Sequence, residues 1–237
     1  ALPTRPLLSG LLFGLLAYKP QFALVIPVAL LAASQWRTIA AATVTVATLV
    51  AVTISLFGID LWSAFIESTQ TSRKVLLEQG DVGFEKLQSV FAAIRLWDGA
   101  VPLAYVVQAT VSIAVILSAA WVWRSKADNA LKASILVTGT LLASPHVLDY
   151  DLVALAIAIA FFARHGLMRG FQAYEITLLA AAWAVPLFAR SIAGLTGVPL
   201  GLLVMLALYM VTLRRAVNDL KRREGKPAHP PPTFTTA

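Results

Sequence analysis

The sequence predicts an all-α polytopic membrane protein, a bundle of apolar helices that includes two pairs of short broken or hairpin helices. Three observations predict it. Of 237 residues, 59% are apolar and 13% charged, about half the charged share of a soluble domain. Uncharged windows recur along the chain, several of them long enough to cross a hydrocarbon core of about 30 Å. Lys and Arg outnumber Asp and Glu by 19 to 12, and six of the basic residues lie in the last 24. Basicity gathered in a tail points to a cytoplasmic membrane face, so no nucleic-acid partner is expected.

Taken in order, residues 7–18 and 22–33 are two apolar runs separated by Lys19-Pro20-Gln21. Each reaches only about 18–20 Å as a helix, so together they form one broken span or a hairpin with a polar tip below the membrane surface. Residues 38–57 are the first full span and residues 101–123 the second. Residues 131–143 and 152–163 make the other short pair, divided by Ser144-Pro145-His146-Val147-Leu148-Asp149-Tyr150-Asp151. Residues 176–189 are a shorter candidate, and residues 199–213 close the series. The membrane region is expected over 1–215, and 216–237 is expected to be a basic cytoplasmic tail that begins as a helix and becomes largely disordered.

The dense basic connections at Arg124–Lys132, Arg164–Arg169 and Arg214–Lys226 share one side only if the second pair is a hairpin. That leaves residues 58–100, with four basic and six acidic residues, on the outer side together with both polar tips. Trp36, Trp62, Trp97, Trp121 and Trp123 then sit near span ends, as an interfacial belt does. Within the outer loop, Phe84, Leu87, Phe91 and Ile94 recur at helical spacing and predict an interfacial amphipathic helix over 84–97 that covers a lipid entrance. Residues 60–68 form a second, shorter candidate, and 68–83 are expected to be irregular.

The absence of cysteine excludes disulfides, thiolate metal sites and cysteine nucleophiles, and His146, His165 and His229 are too few for a histidine metal centre. No cofactor is expected. The chain enters apolar sequence by Leu7 without an initiator Met or a cleavage pattern, so it is expected to be a piece of something longer.

Ionisable groups inside apolar segments are functional candidates. Lys19 stands at a helix break made by Pro20, where an ammonium beside water suits a phosphate; the alternative is a lysine that snorkels to the surface. His146, Asp149, Tyr150 and Asp151 form the richest segment, able to donate to a phosphate or take a proton, with helix capping the favoured role for Asp151 and the role of Asp149 open. Tyr105, Gln108 and Ser112 share one helix face, which either lines a substrate cavity or, the favoured reading, bonds between helices.

Gly14-Leu15-Leu16-Ala17-Tyr18-Lys19-Pro20-Gln21, Gln88-Ser89-Val90-Phe91, Ala104-Tyr105-Val106-Val107-Gln108 and Leu142-Ala143-Ser144-Pro145-His146-Val147-Leu148-Asp149-Tyr150-Asp151 together resemble glycosyltransferase family 87. The resemblance extends over nearly the whole chain up to the tail. It implies a GT-C-like helical bundle in the bacterial inner membrane, with its active site on the outer face. It also implies a polyprenyl-phosphate sugar donor, typically mannose, a lipid or glycan acceptor, and inversion in one displacement. Lys19, Gln21, Gln108, His146, Asp149, Tyr150 and Asp151 are then expected to bind substrate. The catalytic Asp of such enzymes lies in the first outward loop, so it is expected upstream of Ala1 and the fragment is expected to be inactive alone. The competing class is a secondary transporter, which also builds its site at broken helices.

Overall fold

The computed structural model describes residues 4–224, and among these it is helical throughout, with no strand beyond an isolated bridge between Leu87 and Leu148. Among the described residues, five helices are long and apolar enough to cross a membrane, ending at Phe57, Arg124, Arg169, Thr196 and Arg223. The protein is therefore a multi-pass membrane protein built as an α-helical bundle.

The first unit is α1 (Pro6–Leu15), α2 (Ile26–Ala32) and α3 (Trp36–Phe57). Gly10 and Gly14 let α1 lie directly on α3: a Cβ at Gly10 would stand 2.4 Å from the Thr38 carbonyl oxygen, and one at Gly14 2.5 Å from Thr45 Cβ. Small residues four apart bring helix backbones together where no hydrophobic effect drives association. Successive matches of 10 with 38–42 and 14 with 42–45 also show that α1 and α3 run parallel. Beyond the loop that follows come α4 (Asp60–Ser72), α5 (Val90–Leu96) and α6 (Val101–Arg124), then α7 (Asn129–Ala143), α8 (Leu155–Arg169), α9 (Glu175–Thr196) and α10 (Leu200–Glu224).

The core is organised around α7, which α6, α8 and α10 surround. Eleven of its fifteen residues are buried. Its Gly139 leaves room for Tyr209 of α10, whose hydroxyl donates to the Val115 carbonyl of α6 at 3.0 Å and contacts Ser118 Oγ at 2.7 Å. Thr138 and Thr140 return their hydroxyl protons to carbonyls four residues back on α7. A helix so enclosed can stop short and continue as irregular chain, because protein rather than lipid meets the freed backbone groups.

Long-range contacts sort the connections into two ends. Trp97 Nε1 donates to the Gly197 carbonyl, Leu87 bridges Leu148, and Lys19 pairs with Asp151 at one end; the Asp128 amide meets Asp219 and Arg215 meets Glu175 at the other. The end that carries Arg5, Arg37 and the stretches 124–132, 164–175 and 214–224 holds twelve Lys and Arg against four Asp and Glu, whereas the opposite end holds six against eight. By the positive-inside rule this asymmetry is the one expected if the basic end faces the cytoplasm. A cysteine introduced at exposed Ser68 is thus expected to react with a membrane-impermeant maleimide in intact cells lacking only the outer membrane barrier, and labelling that appears solely after lysis contradicts the orientation.

Several elements differ from expectation. The second pair is not two equal halves: a 3-10 turn at Asp149–Ala154 leads without interruption into α8, so Asp149–Arg169 is a full span, and α9 extends to 22 residues past the charged Arg190. Residues 68–83 are largely helical, since α4 passes into a wider-wound turn at Arg73–Gln79 that ends on left-handed Gly80. The helix expected over 84–97 is split. Phe84–Lys86 form a single 3-10 turn, Leu87 is extended, and Ser89 Oγ caps α5 by accepting the Ala92 amide proton. Phe91 is fully buried, with its ring 4.7 Å from that of Tyr105. The apolar spacing meets α6 instead of headgroups, a choice that periodicity alone does not make. It is α4 that leaves Leu61, Phe65 and Ile66 exposed. At the other end α10 carries on through Arg215 to Glu224, with Ala216 and Asp219 buried. The disorder expected further on, at Lys226-Pro227 and Pro230–Pro232, lies outside the described residues.

Candidate functional site

The break after α1 is recessed. If α1 and the turn after it keep the register set by Gly10 and Gly14, Lys19 comes level with about Val50, roughly 10 Å short of the end of α3 at 1.5 Å per residue. Lys19 ends one 3-10 turn, Leu16–Tyr18, and Pro20 opens the next, Pro20–Leu24, because proline has no amide proton to continue the ladder. On the other side of the recess, α7 stops at Ala143 and the chain crosses to Asp149 as irregular backbone.

Gln108 and Ser112 of α6 are what make that stop possible. Gln108 is buried; its Nε2 donates to the Leu142 carbonyl at 3.1 Å and to Ser112 Oγ at 3.0 Å, while Ser112 donates to the Ala143 carbonyl at 2.7 Å. Gln108 Oε1 also accepts the Phe91 amide proton of α5 at 3.0 Å. The amide therefore satisfies orphan groups of two helices at once, with both of its protons committed, which is the interhelical arrangement. Gln108→Leu strands a buried carbonyl and a buried amide proton, each worth about 1–3 kcal/mol. A drop in thermal unfolding temperature with unchanged KM in the folded fraction is the expected result; a selective rise in KM contradicts it.

Lys19 reaches across the recess to Asp151, pairing with Oδ1, while Asp151 Oδ2 accepts the Leu148 amide proton at 3.1 Å. The carboxylate thus caps the 3-10 turn in the manner of a capping box and holds the ammonium as well. Asp151 is almost fully buried; Lys19 is partly open. The ammonium also stands 4.6 Å from the centre of the Tyr150 ring and 5.5 Å from that of Phe22, both within cation–π range. One of its three protons is taken by Asp151, and the side chain is 20% exposed.

His146 completes the group. Its backbone is fixed by Ser144, whose hydroxyl lies 3.2 Å from both the amide and the carbonyl of residue 146, and its ring makes no hydrogen bond within the described residues. Burial lowers the imidazole below its ordinary value; the Asp151 carboxylate raises it less, and the Lys19 charge lowers it further. The ring is therefore neutral at pH 7 and presents one N–H donor, not a cation. Because the folded value lies below the unfolded 6.5, this group's stabilising contribution is present above pH 6.5 and is lost as pH falls through the folded value. A fall in unfolding temperature between neutral pH and mild acid, abolished in His146→Gln, is the expected signature.

Of the remaining expected residues, Asp149 accepts its neighbour Tyr150's amide proton at 2.8 Å, a local bond, and Tyr150 is exposed apart from its ring contact with Lys19. Gln21 is half-buried in the turn after Pro20 and makes no side-chain hydrogen bond there. The structure thus gathers Lys19, His146, Tyr150 and Asp151, and sets Gln108 behind them. Sequence reasoning missed the apolar groove beside the group. It has a volume of about 440 Å³ and runs between α1, α2 and α3 along Phe13, Phe22, Pro27, Leu30, Ile39 and Val46, starting at the Phe22 ring under Lys19. Its only sequence signal is the pair of glycines that brings α1 onto α3.

The site is thus a cation paired with a buried carboxylate and set against an aromatic ring, at the head of an apolar groove in a multi-pass bundle. The model of glycosyltransferase family 87 matches residues 1–145, more than half of the chain, and the chain belongs to that family. The match is shorter than the extent expected from the motifs: Lys19, Gln21 and Gln108 lie inside it, His146 to Asp151 immediately beyond. Searches of the curated proteins and of the solved structures return no match. Membership makes the protein a membrane glycosyltransferase and separates it from the transporters with which it shares broken helices.

Proposed function

We propose that the protein transfers a sugar, mannose in the first instance, from a polyprenyl-phosphate donor to a lipid or glycan acceptor on the outer face of the bacterial inner membrane. The observation that carries this reading is the Lys19 ammonium fixed by Asp151 and Tyr150 at the mouth of the groove between α1, α2 and α3. A polyprenyl chain suits an apolar groove open to lipid, and its phosphate suits an ammonium and a neutral imidazole N–H. In the reaction the bond from the anomeric carbon to the phosphate oxygen breaks as the acceptor oxygen attacks from the opposite face. The phosphate keeps the electron pair and leaves as the polyprenyl monophosphate, while the acceptor's proton passes to a carboxylate base. Charge grows on the phosphate as the bond breaks, so donors fixed in advance act most strongly in the transition state. Asp151 is not that base in this reading, since both of its oxygens are committed, Oδ1 to Lys19 and Oδ2 to the Leu148 amide proton.

The test is donor choice. Full-length protein in nanodiscs should transfer mannose from polyprenyl-phosphate mannose with release of the lipid monophosphate and should not use a nucleotide-linked mannose. Transfer from the nucleotide sugar alone overturns the proposal.

A further inference from the structure

A second concentration of charge lies at the far end of the same span. Asp151 lies near its start and Arg169 ends it, roughly 27 Å apart at 1.5 Å per residue. There α8, the turn after it and α10 enclose a cleft of about 390 Å³ whose wall includes His165, Arg169, Arg215, Arg222 and Arg223.

Two of these arginines are neutralised within the protein. Arg215 is buried and forked onto Glu175, with Nε 2.6 Å from Oε1 and Nη2 2.5 Å from Oε2, and it also donates to the Gly170 carbonyl at 2.7 Å. Arg223 meets Asp219 at 3.0 Å, and that carboxylate accepts the Asp128 amide proton as well. Arg169 and Arg222 are exposed and have no ionic partner among the described residues. The cleft therefore carries two positive charges in excess. Behind them His165 is only 4% exposed, and its Nδ1 makes no hydrogen bond, the nearest carboxylate oxygen, that of Asp128, being 3.9 Å away. Buried polar side chains are nearly always satisfied, and His165, part of the cleft wall, keeps a ring nitrogen without a hydrogen bond.

We propose that this cleft is a phosphate-binding site at the basic end of the bundle, separate from the Lys19 group and independent of the sugar-transfer reading. Guanidinium groups present planar pairs of N–H donors that match phosphate oxygens two at a time, and an excess of two charges matches a phosphate dianion or an anionic headgroup with its counter-charges displaced. Depth points to the headgroup. The 25 residues of α10 extend about 37 Å, beyond a hydrocarbon core of about 30 Å, so the turns that carry Arg222 and Arg223 stand in the layer where lipid phosphates lie. Basic pockets between span ends on a cytoplasmic face take anionic lipid headgroups.

The experiment compares three forms of the full-length protein: wild type, the cleft double variant Arg169→Gln/Arg222→Gln, and a control, Arg124→Gln/Lys126→Gln, which removes the same charge from the same end outside the cleft. Both cleft arginines are exposed and unpaired, so helical content by circular dichroism should be unchanged. Native mass spectrometry with phosphatidylglycerol and phosphatidylcholine is expected to give wild type and control about a tenfold preference for the anionic lipid. The cleft variant should lose it. Thermal unfolding in inorganic phosphate against chloride at equal ionic strength forms the second arm: a stabilisation confined to wild type and control, without lipid preference, assigns the site to a soluble phosphate. The proposal is overturned if neither probe separates wild type from the cleft variant, or if the control loses the effect equally.

Discussion

Lys19→Ala is expected to lower the turnover of the full-length enzyme by about 10²-fold or more, the scale seen when one preorganised donor is removed from a developing charge. The loss should appear in kcat as well as kcat/KM, because the ammonium gains most when the phosphate carries its full negative charge. The ion pair complicates a simple reading: without Lys19, Asp151 is a buried carboxylate with only the Leu148 amide proton as partner. Removing one partner of a buried pair can itself destabilise by about 3–5 kcal/mol. The double variant Lys19→Ala/Asp151→Ala removes the stranded charge and should recover unfolding temperature while turnover stays low. Recovery of both together would mean that Lys19 only latches the break to the start of the next span, and the phosphate role would fail.

Glu175→Ala is expected to give the largest loss of stability, about 3–5 kcal/mol, read as a lowered unfolding temperature or denaturant midpoint in detergent. Glu175 and Arg215 are 3% and 5% exposed in their side chains, and the guanidinium left behind would keep only the Gly170 carbonyl and the cleft. Replacing both partners by apolar residues of similar volume should recover most of the loss. If Glu175→Ala unfolds within experimental error of wild type, water reaches Arg215 and the pair is not a structural tie between α9 and α10.

Composition and uncharged windows made the bundle legible, because the bilayer demands long apolar helices whatever the tertiary structure. They misjudged extents wherever a span carries a charge. Asp151 and Arg190 lie within full spans, the first because Lys19 pairs with it. The candidate site was legible in part for the same reason: Lys19 and His146 were conspicuous as polar groups at breaks. Their position at the breaks of two similar pairs predicts a shared outward cavity; the ion pair between Lys19 and Asp151 was not legible, since Asp151 had a sufficient local explanation as a cap. Gln108 was visible as a polar residue on a helix face, yet its partners are backbone groups, which no side-chain pattern announces. The split of 84–97 turns on Ser89 and on the bridge to Leu148, a contact between segments some sixty residues apart.

The contact between Lys19 and Asp151 joins positions 132 residues apart, which matters while the chain is being made. At about 5–20 residues per second, roughly 7–26 s separate the synthesis of the two. During that interval the first hairpin has left the ribosome with its cation unmatched, and the chain up to α7 still lacks His146, Tyr150 and the carboxylate that holds the ammonium. The lysine must then wait at the membrane surface, which its long stem permits. The break is thus drawn to its recessed depth late, when α8 inserts and brings the counter-charge with it. A chain arrested before residue 151 should accordingly hold its first two helices at a shallower depth than the finished protein does.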